Sequence, residues 1–272
     1  MDRTGTGTYS VFGRQLRFNI RDRFPILTTK RVYWKGVVEE LLWFLKGDTN
    51  INHLIEKNVH IWDGNSTREY LDKIGLVDRE ERDGGPIYGF QWRHFGAEYG
   101  TMHDNYDNCG VDQFAECLNL IKNNPESRRI IMSAWNPSAM DKMCLPPCHV
   151  MYQFYVNVES NEISCHMYQR SADVFLGLPF NICSTALLTH IMAKLTNRKV
   201  GDVVISLGDA HIYSNHVEQC NTQIERIPRN WPKLDINVNL SDNDLKVENF
   251  EFKDFILDGY SPHPTIKAEM AV

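Results

Sequence analysis

Residues 181–195 read NICSTALLTHIMAKL, and this stretch decides the architecture. Ile182, Ala186, Leu187, Ile191 and Leu195 recur near helical spacing, so the segment predicts a helix packed into a core. Working outward, 163–168 on one side and 203–207 on the other read as short strands. Residues 151–158 predict a further strand, forming a hairpin with 163–168 around Glu159-Ser160-Asn161-Glu162, and 130–135 predicts another. Residues 37–45 are an apolar-rich helical stretch that Gly47 can end, and 111–121 reads as helix until Asn123-Asn124-Pro125 breaks it. Helices and strands in alternation imply a mixed fold, α/β in the broad sense (α+β). Repeats, low-complexity tracts and long linkers are lacking, so 1–272 is expected to form a single domain.

The chemistry concentrates at Leu145-Pro146-Pro147-Cys148-His149. Proline fixes φ and restricts the residue before it, so Pro146-Pro147 presents Cys148 with little conformational freedom, as a nucleophile needing accurate aim requires. Cysteine is more often a small buried hydrophobe. His149 is not its base on geometric grounds, because neighbouring side chains of an extended segment point to opposite faces. Two other clusters favour reactivity. Gln169-Arg170-Ser171-Ala172-Asp173 precedes Gly177-Leu178-Pro179-Phe180-Asn181, and Arg128-Arg129 edges an apolar run. Guanidinium forks and a serine hydroxyl suit a phosphate.

Composition sets outer limits. The chain has 272 residues, 42% hydrophobic and 11% aromatic, enough for a substantial core. Its net charge of −6 argues against a dedicated nucleic-acid binder, so the anion-binding arginines must act locally. Seven cysteines without small-domain spacing fit a reducing compartment, and neither a signal peptide nor a membrane-length apolar run is present. The expected setting is cytoplasmic, a virus-infected cell's cytosol included. Gly5-Thr6-Gly7 lacks the third glycine of a dinucleotide fingerprint and reads as a turn. No cysteine–histidine set has zinc-like spacing, and His211 and His216, five apart, suit no common helical face, so no metal is expected. Cys144, four residues before Cys148, reads as packing.

The ordered motifs run almost end to end. They include Asp2-Arg3-Thr4-Gly5-Thr6-Gly7-Thr8, Phe24-Pro25-Ile26-Leu27-Thr28-Thr29-Lys30, Glu39-Glu40-Leu41-Leu42-Trp43-Phe44, Ile61-Trp62-Asp63, Tyr88-Gly89-Phe90-Gln91-Trp92-Arg93 and Ser127-Arg128-Arg129-Ile130-Ile131. The series continues through 145–149 and 169–181 to Gly208-Asp209-Ala210-His211-Ile212-Tyr213 and Pro262-His263-Pro264-Thr265-Ile266. In these segments the chain resembles the thymidylate synthase family. The resemblance implies a three-layer fold with a bent mixed sheet forming a homodimer interface. It also implies reductive methylation of dUMP to dTMP, with 5,10-methylenetetrahydrofolate as carbon donor and reductant. Members usually carry a helical segment before the Asp-Arg-Thr-Gly motif, so that segment is expected to be lacking.

By the same resemblance, Cys148 is the nucleophile that attacks pyrimidine C6, while Glu40, Tyr88, His149 and Asn181 serve acid–base and ring-binding roles. Asn181 faces O4 and N3 of uracil, donating through its amide nitrogen and accepting through its oxygen. The phosphate ligands are Arg3, Arg170 and Ser171, joined by Arg128 and Arg129 from the neighbouring subunit. Gln169 and Asp173 position the nucleotide, and His211 with Tyr213 binds the ribose. Folate is expected on Ile61, Trp62, Asn65, Asp173, Leu176, Gly177 and Phe180, closed over by the tail at Met270. The family also contains fusions to dihydrofolate reductase, and mRNA is a further partner to consider. Two alternatives compete. A pyrimidine nucleotide hydroxymethylase is disfavoured by Asn181, since aspartate suits cytosine better. A noncatalytic RNA-binding regulator is disfavoured by the acidic charge and the retained site residues.

Overall fold

The computed structural model describes residues 5–238 and 245–270. Five strands form one mixed sheet in the order β1-β5-β4-β3-β2. They are β1 (Thr8–Asn19), β2 (Ile131–Ser133), β3 (His149–Asn157), β4 (Glu162–Asp173) and β5 (Lys199–Tyr213). The β4–β5 pair is parallel and the other pairings are antiparallel. A small second sheet is an antiparallel pair of β6 (Lys233–Ile236) and β7 (Phe255–Asp258). The helices are α1 (Trp34–Leu45), α2 (Asn52–Ile55), α3 (Arg68–Lys73), α4 (Tyr88–His94), α5 (Gln113–Asn123), α6 (Gly177–Leu195) and α7 (Val217–Ile224).

Helix α6 is the central layer. It crosses from β4 to the parallel neighbour β5 and packs on both strands, while α1 packs on its other side and α4 on α1. It is apolar nearly all round, as a helix buried on all sides must be. Two of the buried hydroxyls in it bond back to its own carbonyls, Thr185 to Asn181 and Thr189 to Thr185, both at 2.8 Å. The side chain of Asp173 accepts from the N–H groups of Phe175 and Leu176, ordering the turn into the helix.

Only one face of the sheet meets this core. Tyr152, Phe154, Cys165, Met167, Val203 and Ile205 are buried on it. On the opposite face, Gln15 bonds Ser206, His166 bonds the same hydroxyl, and Tyr155 and Tyr168 stay exposed. An antiparallel-rich sheet tolerates one open face.

The anticipated elements appear with shifted limits. Helix α6 starts at Gly177, β5 extends well beyond 203–207 in both directions, and β2 is only three residues long. Helix α5 begins at Gln113 because Asp112 caps it, accepting from the Ala115 N–H at 2.9 Å. Strand β1 was not anticipated. It is an edge strand exposed along most of its length, so its sequence carries no buried-face alternation, and Gly13 interrupts it at φ 71°.

Candidate active site

The segment before β3 is held by neighbours rather than by secondary structure. Arg170, on β4, donates from Nε to the Pro147 carbonyl at 2.9 Å and from Nη2 to the Pro146 carbonyl at 3.0 Å. Its own N–H donates to the Cys148 carbonyl at 3.0 Å, and the Cys148 N–H donates to the Tyr88 hydroxyl oxygen at 2.6 Å. Tyr88 opens α4, whose approach to α1 depends on Gly89: a Cβ there would lie 2.6 Å from the Phe44 carbonyl oxygen. Gly208 does the same service between strands, since a Cβ would come within 2.7 Å of the Arg170 carbonyl oxygen.

His149, the residue after Cys148, joins Gln169 and Asn181 in one polar cluster. Strand pairing places His149 opposite Gln169. Gln169 Nε2 donates to Asn181 Oδ1 at 2.8 Å and to the Ser171 carbonyl at 3.0 Å. That bond orients the amide of Asn181, whose other polar neighbour is the His149 side chain. Across the parallel pairing, Ser171 lies opposite Asp209 and Asp173 opposite His211. His211 Nδ1 bonds Asp209 at 2.8 Å, and its ring meets Tyr213 edge-on at 5.1 Å.

Glu40 enters from α1. It is buried, and its Oε1 accepts from the Trp62 indole N–H at 2.7 Å. Burial pushes its carboxyl from 4.5 up to about 7, against the opposing effect of the indole bond. A carboxyl poised there can both give and take a proton near neutrality. Aromatic rings link this group to the thiol segment: Trp62 meets Tyr88 at 6.2 Å, and Tyr88 meets His149 at 5.5 Å. Burial also raises the Tyr88 phenol well above its ordinary value and lowers His149 to about 4, so both are neutral at pH 7. Asn65 is buried nearby in sequence; Ile61, Leu176 and Phe180 are partly buried, with Gly177 at the start of α6. At Gly177 a Cβ would make ordinary contacts with Asp173 and Asn181, at 3.5 and 3.7 Å.

Arg128 and Arg129 stand apart. Both are exposed between α5 and β2, and among the described residues neither forms an ion pair. Met270 is half exposed near the tail, where His216 Nε2 bonds the Glu269 carbonyl at 2.7 Å. Arg3 lies outside the described residues.

Several groups escaped the sequence reading. Lys30 is buried, donates to the Phe175 carbonyl and lies 3.4 Å from the Phe175 ring centre. Burial lowers it to about 8, with Asp173 opposing. A lysine inside the apolar Phe24–Lys30 motif was its available signal. Trp135 faces the Arg170 guanidinium at 5.6 Å, and Asn136 donates to buried Gln91 at 3.0 Å. Cys144 is buried with its thiol pushed up to about 12, which suits packing.

Fold and site together define a mixed α/β protein in which a cysteine segment is fixed by an arginine and a tyrosine, with buried ionisable groups nearby shifted toward their neutral forms. The thymidylate synthase family model matches residues 1–272. Human thymidylate synthase is 56% identical over 271 residues, covering all of this chain and 85% of the relative. The bifunctional dihydrofolate reductase-thymidylate synthases of Zea mays and Leishmania major are 57% and 53% identical, again across the whole chain. The chain spans about half the length of those two, 51% and 52%. The chain belongs to the thymidylate synthase family.

Replacing Glu40 by Gln tests the buried carboxyl. The folded state keeps a proton that the unfolded chain has released, so wild-type stability relative to Glu40→Gln should fall as pH rises from 4.5 through about 7. The expected loss is roughly 3 kcal/mol. Urea denaturation of both proteins across this range measures it, and a difference independent of pH would contradict a buried, uncharged Glu40.

Proposed function

We propose that this chain catalyses reductive methylation of dUMP to dTMP, releasing dihydrofolate, with Cys148 as the attacking group. The observation that carries the reading is the fixed Cys148 segment beside a pre-oriented Asn181, in a chain that belongs to this family throughout. C5 of uracil is a poor nucleophile. Addition of the Cys148 thiolate to C6 makes C5 nucleophilic and places negative charge on O4. The amide nitrogen of Asn181 donates to that oxygen, while Asn181 Oδ1 accepts from N3–H. His149 faces the same edge of the ring. Glu40 exchanges protons in a water-poor site, and Tyr88 assists removal of the C5 proton while holding Cys148 in place.

When bound, 5,10-methylenetetrahydrofolate supplies the one-carbon unit and the hydride. The available surfaces fit its flat rings: Trp62, Ile61, Leu176 and Phe180 provide apolar walls, Gly177 adds no side chain, and Asn65 and Asp173 provide polar contacts. Met270 belongs to a tail that closes over the ligands and excludes water. No metal is required in this scheme.

Arg170 and Ser171, with Arg3, bind the phosphate; Gln169 and Asp173 position the nucleotide, and His211 and Tyr213 bind the ribose hydroxyl. Arg128 and Arg129 complete the phosphate site of the partner subunit in a homodimer. Their exposure and the open sheet face support that assignment. A shared dimer interface built on one sheet face is isologous, so each subunit gives and receives the same residues. The proposed setting is the cytosol, in keeping with the absence of disulfides among the described cysteines.

Purified protein supplied with dUMP and methylenetetrahydrofolate should yield dTMP and dihydrofolate in equal amounts. A hydroxymethylated product without dihydrofolate would instead assign the hydroxymethylase reaction, and lack of turnover would overturn the catalytic reading.

The shared site has its own test. Arg129→Ala and Cys148→Ala proteins, each nearly inactive alone, should regain activity when unfolded and refolded together, because one site of the heterodimer then combines an intact thiol with an intact partner arginine. No recovery, with heterodimers verified by native mass spectrometry and Arg129→Ala alone shown to be inactive, would mean that Arg129 acts within its own chain.

A further inference from the structure

His149 and Tyr152 are three residues apart, a spacing that puts side chains on opposite faces of a regular strand. The strand is not regular here. Its pairing with β4 shifts between His149 and Met151, and the buried positions run His149, Tyr152, Phe154 and Val156. The irregularity rephases the strand and brings His149 onto the core face with Tyr152. The phenol oxygen then lies 3.1 Å from His149 Nδ1, with both side chains buried.

A neutral imidazole carries one N–H and one lone pair, and the partner of one nitrogen decides which nitrogen holds the proton. Burial keeps His149 neutral and Tyr152 protonated. The phenol therefore has one hydrogen to give. Thr185, the other hydroxyl beside it, gives its own hydrogen to the Asn181 carbonyl, so the phenol hydrogen has two acceptors within reach, the Thr185 oxygen and His149 Nδ1, and only the second sets the tautomer. His149 Nε2, at the far side of the ring, is sealed from solvent and makes no hydrogen bond of good geometry, although the Asn181 side chain lies close enough to act on the ring. An unpartnered buried polar atom is costly unless a ligand satisfies it.

We propose that Tyr152 is a positioning residue: its hydroxyl donates to His149 Nδ1 and holds the ring in the tautomer that carries its proton on Nε2. The inference rests on the reading of the site as a dUMP site. There, an Nε2–H would face the pyrimidine oxygen beside the Asn181 amide, and the charge that develops on that oxygen would meet a donor instead of a lone pair. Nothing in the chemistry of the strand sequence alone requires a phenol at this position; phenylalanine would fill the same core space beside Trp92 but could not select a tautomer.

The tautomer can be observed directly. Long-range ¹H–¹⁵N correlation spectra of the histidine rings, with His149 assigned by the signals that vanish in His149→Gln, should show Nε2 protonated and Nδ1 as the acceptor. A protonated Nδ1 in the wild-type protein would overturn the proposal without any variant of Tyr152. In Tyr152→Phe the His149 signals should move toward the average of two tautomers. kcat for dUMP should fall roughly tenfold, with KM changed by less than about twofold. An unchanged His149 tautomer in that variant would also overturn the proposal, whatever its activity, because a role in packing alone leaves the ring proton where it was. If wild-type protein fails to turn over dUMP, the functional reading falls, and the spectra still decide what Tyr152 does to His149.

Discussion

The structure depends on immobilising a segment that has no secondary structure of its own. Pro146 and Pro147 lack backbone N–H groups, so they offer the neighbouring chain only carbonyls, and Arg170 takes both. The Cys148 carbonyl and N–H are taken by the Arg170 backbone and by Tyr88. These four bonds tie the cysteine to β4 on one side and α4 on the other. Each support depends on a deeper contact: β4 is fixed by its parallel pairing with β5 and by α6, and α4 by the close approach to α1 at Gly89. The aim of one thiol is thus inherited from the packing of the core.

Desolvation dominates the electrostatics of the site. Glu40, Tyr88, His149 and Lys30 all shift toward their neutral forms, and in each case burial is the largest cause. At two of them other groups moderate this: the Trp62 indole limits the rise at Glu40, and Asp173 limits the fall at Lys30. On the proposed reading, buried groups shifted toward neutrality would meet an uncharged pyrimidine ring, and cationic arginines would meet the phosphate. The division of labour follows from depth in the protein.

Much of the fold was legible because core contact leaves a periodic trace. The α6 segment shows its apolar spacing, and the β3–β4 hairpin shows its turn, with Asn161 in the left-handed region at φ 54°. Strand β1 left no such trace, being exposed and broken at Gly13. Among the candidate site residues, Cys148 and Arg170 stood out by their local sequence, while Asn181 came from the family motif. The pairing of Tyr152 with His149 was not legible, because strict alternation puts His149 on the face opposite Tyr152, and the register shift that corrects this arises from pairing with β4. Lys30 stayed hidden for a related reason: a lysine's ordinary place is the surface, and only the tertiary structure seats it on Phe175.

The central claim is that Cys148, and no other thiol, forms a covalent bond to pyrimidine C6. Incubation with 5-fluoro-dUMP and methylenetetrahydrofolate tests it, because fluorine replaces the C5 proton that must leave and the adduct should stall. Mass spectrometry of the digested protein should then find nucleotide and folate together on the peptide that contains Cys148. Folded protein that forms no adduct, or that carries it on buried Cys144, would contradict the account.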